Sequence, residues 1–323
     1  MSDFIHLTNK TEYSLSEGAL PIARISELCQ AFKMPAVGIS DTNNMFGALE
    51  FSEKVSSVGV QPIIGCNVKI KTPKDYLHEN IDDEDFYFFL NIFSKSADGY
   101  ESLLNIISTS YMNHKENAHI DIETLFKNKD GLIVLSGGNN SILKCSNRKN
   151  ISSQSSSFIS DFKREFNDNF YIELQRVGGN DYRIDEEVTL NLAYDYHLPI
   201  VATNDVYFEG PEHYEAHDAL MCIEKKIFVS QKDRNRLSQN HYFKSQSEMS
   251  ELFVDIPEAL SNTIEIAQRC SHRPKIKMPV LPSFCKDDKQ EKELLEDLAY
   301  KGLKYNLNQK FLNEEINKNS QLK

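Results

Sequence analysis

Along the first two hundred residues, short apolar runs alternate with stretches in which apolar positions recur every three or four residues. The runs of strand length are FIHLT (4–8), AVGIS (36–40), PIIGCNVKI (62–70), FYFFLNIF (86–93), GLIVLSG (131–137), NFYIELQRV (169–177) and PIVATNDV (199–206). Several are almost continuously apolar, as expected of strands covered on both faces by helices. Between them, Ile25, Leu28, Cys29 and Phe32 follow Pro21 at helical spacing, and Ile184, Val188, Leu192 and Tyr196 repeat every four residues. Pro is favoured at a helix start, and such a stripe marks the buried face of an amphipathic helix.

Seven strand-and-helix units of this kind predict an α/β protein with a parallel sheet, closed or nearly closed into a barrel rather than open and doubly wound. Periodicity alone does not separate the two. Two stretches break the rhythm. The acidic segment 72–86 is expected as a solvated hairpin or loop, and the Ser- and Asn-rich segment 146–157 as a polar connection unable to pack. After residue 270 the rhythm stops, and a proline-containing extended stretch leads into a charged helix expected at about 288–305. The predicted domains are therefore 1–271 and 272–323.

Composition narrows the functional classes. No apolar run approaches the ~20 residues of a membrane span, and the first ten residues lack the pattern of a secretory signal, so a cytoplasmic location is expected. Six cysteines (Cys29, Cys66, Cys145, Cys222, Cys270, Cys285) show no CxxC pairing and are expected as free thiols, mostly in the core. With 48 acidic against 36 basic side chains the net charge is −12, which disfavours a duplex-gripping surface. The basic cluster of Lys225, Lys226, Lys232, Arg234 and Arg236 is the one stretch that could touch nucleic-acid phosphates, and a solvated loop is the competing reading.

In a parallel barrel the chemistry lies at the carboxyl ends of the strands. His6, Thr8 and Lys10 follow the first run; Asp41 and Thr42 the second; Asn67 and Phe89 sit on the third and fourth; Gly138 follows the fifth; Asp205 and Tyr207 follow the last. A hydrolytic metal cluster needs imidazoles and carboxylates at such positions. Threonine and lysine supply neither, because an ammonium has donors and no lone pair. HYEAH (213–217) has Tyr214 where HExxH needs its glutamate, and no GxGxxG, Walker A or GxSxG motif is present.

The segments HLTNKTEYSLSEG (6–18), MPAVGISDTNNMFGALEF (34–51), QPIIGCNV (61–68), GLIVLSGG (131–138), LPIVATNDVYF (198–208), EAHDALMCI (215–223) and ELFVDIPEALSNTIEIAQRC (251–270) together resemble the amino-terminal PHP (polymerase and histidinol phosphatase) domain of bacterial DNA polymerase III alpha subunits, the family C replicative polymerases. LPSFCKDDKQEKELLEDLAYKGL (281–303) is similar to the passage into the polymerase core. The resemblance implies a distorted seven-stranded (β/α)7 barrel followed by the start of a second domain. It also implies a mouth that holds up to three metal ions in metal-binding members.

Carried over by position, the metal ligands fall on Thr8, Lys10, Glu17, Thr42, Asn67, Phe89, Gly138, Asp205 and Tyr207, of which only Glu17 and Asp205 coordinate well. The resemblance thus implies a degenerate metal site, no cofactor in this chain, and Mg2+ only at a polymerase site beyond it. It also implies a scaffold that docks the proofreading exonuclease (epsilon) subunit within the polymerase III holoenzyme, with the rest of the alpha subunit as a further partner. The chain alone is expected to be inactive, with weak or no DNA binding.

The alternative is a reduced metal site of His6, Glu17, Asp41 and Asp205, serving a phosphoesterase or 3′–5′ exonuclease. Lys10 is expected to offset the remaining carboxylates through an ion pair with Asp205 or Glu17. His217 and Asp218, which match the family's AHD, are expected behind the site or in packing.

Overall fold

The computed structural model describes residues 4–73, 76, 86–114, 116–138, 141–143, 152–178, 182–231, 233–234, 236–279 and 282–320. Six strands form one curled sheet in sequence order: β1 (Ala36–Thr42), β2 (Gln61–Lys71), β3 (Tyr87–Ser94), β4 (Leu132–Leu135), β5 (Phe170–Gln175) and β6 (Ile200–Thr203). The β1–β2, β4–β5 and β5–β6 pairs are parallel, as the βα rhythm predicts. β3 corrects the expectation of a wholly parallel sheet, because it runs antiparallel to both β2 and β4. A parallel crossover requires a helix over the sheet; the acidic sequence between β2 and β3 has no apolar stripe to supply one. Most of that segment, residues 74–75 and 77–85, lies outside the described residues.

The first apolar run forms no regular strand. Residues 4–8 are nonetheless extended and buried, and backbone hydrogen bonds tie the segment on two sides. Gly38 N donates to His6 O at 2.7 Å and Ser40 N to Asn9 O at 3.0 Å, while Lys10 N donates to Val206 O at 2.8 Å and Val206 N to Thr8 O at 3.0 Å. The amino-terminal segment therefore lies between β1 and the residues that follow β6. It approaches β1 so closely that a Cβ on Gly38 would lie 2.2 Å from Leu7 O, a distance that only glycine allows.

Side chains on a strand alternate faces. One set is apolar and packs as a single cluster: Ile5, Leu7, Ala36, Ile63, Phe93, Ile133, Leu135, Tyr171 and Val201. It draws a residue from the amino-terminal segment and from every strand. The opposite faces pack against helices in two further clusters. In the first helix, α1 (Ile22–Ala31), Ile25 and Cys29 are buried with Leu28 and Phe32 packed beside them, as the sequence stripe predicts. Along the helix Tyr182–Asp195 and just beyond it, Leu192 and Tyr196 pack against the core as the repeat predicts, whereas Val188 is exposed and Thr189 and Ala193 are buried beside them.

The Ser-rich stretch also differs from expectation. Residues 144–151 lie outside the described residues, but a helix begins at Ser152 and runs to Phe166. Phe158, Ile159, Phe162 and Phe166 supply an apolar stripe whose burial carries the serine-rich first turns into the helix. Free thiols Cys29, Cys66, Cys222 and Cys270 are buried and Cys285 is half-buried. No described helix is long and apolar enough to cross a membrane. The chain divides into two compact units, Met1–Lys275 and Ile276–Lys323. In the second, the charged helix spans Asp288–Ser320, longer than its sequence pattern suggests.

Gly38→Ala should lower stability by about 1–3 kcal/mol through overpacking against Leu7, seen as a drop of the thermal midpoint by several degrees. Gly178→Ala, where an added Cβ meets nothing within 4 Å, should leave the midpoint nearly unchanged.

Candidate functional site

Beyond the apolar layer, the same inward alternation turns polar. On β5, Tyr171 is followed by Glu173 and Gln175; on β3, Phe93 is preceded by Asn91 and Phe89; on β2, Ile63 leads to Asn67. These side chains form a chain across the sheet. Asn67 Nδ2 donates to Asn91 Oδ1 at 2.9 Å, and Asn91 Nδ2 donates to the Glu173 carboxylate at 3.0 Å. Glu173 also accepts from Thr203 Oγ1 at 2.6 Å, Gln175 Nε2 at 3.0 Å and Gly137 N at 3.1 Å. The carboxylate is buried and its lone pairs are taken up. Burial raises its pKa, these hydrogen bonds oppose the rise, and the neighbouring Asp205 charge adds to it.

Asp41, at the end of β1, is equally enclosed. Oδ1 accepts from Thr11 N at 2.7 Å and Ser14 Oγ at 2.6 Å, and Oδ2 from Thr11 Oγ1 at 2.8 Å. Its role is to hold the loop that follows the amino-terminal segment. Desolvation raises its pKa, while the Ser14 and Thr11 hydrogen bonds and the Lys10 charge pull it back.

Lys10 is buried at 2% exposure, with Nζ donating to Ser40 O at 2.8 Å. It makes no ion pair within 4.0 Å among the described residues, so the anticipated bridge to Asp205 or Glu17 is not formed. The ammonium reaches a strand carbonyl instead, and Asp41 is the carboxylate that feels its charge.

Glu17 and Asp205 come together around Tyr207. Burial raises the Tyr207 phenol pKa far above its ordinary value, and the neighbouring Asp205 and Glu17 carboxylates add to the rise. Glu17 accepts from Thr42 Oγ1 at 2.6 Å, and its backbone carbonyl accepts from His217 Nε2 at 2.7 Å. Asp205 sits at φ 46°, with its N–H on Thr8 Oγ1 at 3.2 Å and its carbonyl accepting from His241 Nδ1 at 2.8 Å. Phe89 is half-buried, opposite Lys69 in the β2–β3 ladder. Gly138 has φ +51°, and a Cβ there would fall 2.2 Å from the Gln175 side chain.

His6 leaves the group altogether. Its ring packs on Phe4 and Phe243, Nε2 donates to Lys244 O at 2.8 Å, and burial lowers its pKa to about 3. His213 lies in the short turn Pro211–His213 ahead of the helix Tyr214–Lys225 that carries His217. His217 supports the loop at Glu17, and Asp218 is buried against Arg234 and Arg236.

The donor set does not fit a metal cluster. At the nine positions stand two hydroxyls, an ammonium, an amide, a phenyl ring, a glycine, a phenol and two carboxylates. Among the described residues, no three His, Cys, Asp or Glu side chains converge as metal ligands would. Sequence reasoning missed Glu173, Asn91, Gln175 and Thr203. Their signal was the odd-numbered polar alternation Glu173–Gln175 following Tyr171 within an otherwise apolar run.

The basic cluster is also not a row of free cations. Arg234 is paired with Asp218, Arg236 contacts Glu215 at 3.0 Å and Asp218 at 3.2 Å, and Lys232 lies outside the described residues.

The chain belongs to the PHP domain family, which it matches over residues 6–177. Nearly its whole length is similar to DNA polymerase III subunit alpha. It is 38% identical over 307 residues to that of Caulobacter vibrioides, covering 94% of this chain and 27% of the relative. The corresponding protein of Rickettsia conorii is 34% identical over 317 residues, covering 97% and 26%. That of Haemophilus influenzae is 32% identical over 315 residues, covering 97% and 26%. The chain thus spans about a quarter of the length of these relatives.

Two outcomes follow from the site. Glu173→Gln sets an amide donor against the surrounding donors and should cost about 1–3 kcal/mol in denaturant unfolding. For His6, the folded pKa is depressed, so as pH falls below about 6.5 the unfolded chain takes a proton that the folded chain refuses, and stability is lost down to about pH 3. His6→Gln, which keeps a donor for Lys244 O, should flatten stability against pH by about 1.4 kcal/mol per unit between pH 6 and 4.

Proposed function

We propose that this chain is the PHP portion of a replicative DNA polymerase III alpha subunit, acting as a rigid platform for the proofreading exonuclease subunit rather than as a metal-dependent hydrolase. The observation that carries this reading is the state of the mouth. Its carboxylates Glu173 and Asp41 are saturated by internal donors, Asp205 lies beside the buried Tyr207 phenol, and an ammonium occupies a position that a ligand would need. Converting such a mouth into a cation site would require breaking several buried hydrogen bonds before any metal bond formed. The similarity to alpha subunits along nearly the whole chain supplies the biological setting.

A platform gains from this arrangement. Hydrogen bonds that cross from β2 to β6 fix the strands relative to one another, and a preformed surface loses little freedom on association. Seven strands closing around the mouth, with the amino-terminal segment as the seventh, are part of the same proposal, as is a location in the cytoplasm. DNA synthesis and Mg2+ then belong to the remainder of the subunit.

Chelator-free purification followed by elemental analysis should find no stoichiometric zinc or manganese and no phosphoesterase turnover, and the exonuclease subunit from the same organism should co-purify with the chain. Stoichiometric metal, with turnover abolished by Asp205→Ala, would instead establish the phosphoesterase or 3′–5′ exonuclease reading.

A further inference from the structure

Two surfaces of the first compact unit combine exposed apolar atoms with unbalanced charge, and the charges are opposite. The first is the turn that follows the helix Tyr214–Lys225. Lys226 ends that helix in the left-handed region at φ 54°, and the turn is closed by Gln231 N donating to Phe228 O at 3.0 Å and Phe228 N donating to Gln231 Oε1 at 3.1 Å. Its tip presents Phe228 at 76% exposure and Val229 at 53%. Lys225 and Lys226 beside it are exposed, and among the described residues neither forms an ion pair.

The second surface is a groove of about 720 Å³, a volume within the range of clefts that hold a ligand. It runs beside the helix Tyr182–Asp195 and the helix Gln246–Leu252. Leu190, Tyr194 and Leu252 line it, together with the carboxylates of Glu186, Glu187, Glu251 and Asp255. The guanidinium of Arg176 also lines it, but its donors are spent. Nε donates to Glu186, Nη1 to Leu252 O and Asp255, and Nη2 to Glu186 and Asp255. All five N–H groups are thereby placed, with Cζ 4.6 Å from the centre of the Phe253 ring. Arg176 thus fixes the walls of the groove, while Glu187 and Glu251, both exposed, are left without an ion pair among the described residues.

Covering an unpaired charge costs more than an apolar contact of this size returns, so each surface needs an occupant of the opposite sign. Nucleic acid fits neither: the groove repels phosphate, and two ammonium groups do not make a row of phosphate contacts. The tip and the groove supply what each other lacks, apolar side chains to apolar walls and two free ammonium groups to two free carboxylates. No described ion pair joins them within one chain. Because the two surfaces differ, a contact between copies is head to tail rather than two-fold symmetric.

We infer that this protein self-associates weakly, the Phe228–Val229 tip of one copy entering the groove of the next, with Lys225 and Lys226 facing Glu187 and Glu251. The contact is small, on the scale of transient encounters, and it leaves a free groove at one end and a free tip at the other. It makes no use of the mouth and stands apart from the platform reading.

Sedimentation equilibrium of the 323-residue chain tests it. The average mass of the wild type should rise with concentration from the micromolar to the submillimolar range, and less so at high salt. Phe228→Ser with Val229→Ser should weaken association about 10- to 100-fold, the range that burial of one large apolar side chain supplies, without moving the thermal midpoint. Glu187→Lys with Glu251→Lys should weaken it as much, by setting lysine against lysine. Mixing these two variants should restore association and halt it at two chains, because one intact tip and one intact groove remain between them. A wild type that stays monomeric overturns the inference. So does association that persists in either variant, which would assign it to another surface such as the helix Asp288–Ser320. Variants that are monomeric alone and remain so when mixed reject the head-to-tail contact.

Discussion

The structure depends on a buried carboxylate that must be satisfied from within. Glu173 lies buried on β5, next to the last strand of the curled sheet, and it draws hydrogen bonds from β3, β6, its own strand and the turn after β4. Each bond fixes the register of the strand that supplies it. An uncompensated carboxylate in that position would cost far more than any one bond returns, so the network is complete or the mouth reorganises. Asp41 applies the same rule at the edge, binding the amino-terminal loop to β1.

In this arrangement the carboxylates of Glu173 and Asp41 are already occupied by internal donors. Around them the hydroxyls of Thr8 and Thr42 bind a backbone amide and a carboxylate, and Lys10 binds a strand carbonyl. The apolar layer beneath, from Ile5 to Val201, shapes the sheet without reference to what lies above it.

The strands of the sheet were legible because continuous apolar runs announce burial on both faces. The direction of β3 was not, since apolarity carries no polarity of the chain, and only the absence of a covering stripe between β2 and β3 hinted at it. The first run was legible as buried and extended but not as an irregular segment, because its bonds are shared between β1 and Val206 rather than formed as a ladder. Thr8 and Lys10 read as poor ligands by residue type, and Phe89 only through the family resemblance. The partners of Lys10 did not, because a backbone carbonyl leaves no mark in the sequence. Glu173 was hidden inside a strand-like run, where one charged residue reads as an outward position until register shows that it faces inward.

Gly138 and Gln175 are fitted to one another. The glycine holds a left-handed backbone and the glutamine side chain fills the volume above it, so any side chain restored at 138 would meet both strain and collision. Gln175 is in turn tied to Glu173 and Thr203. Enlarging the side chain at 138 therefore demands a matching change at 175, so the two positions behave as an interlock: neither is free to vary until the other has yielded.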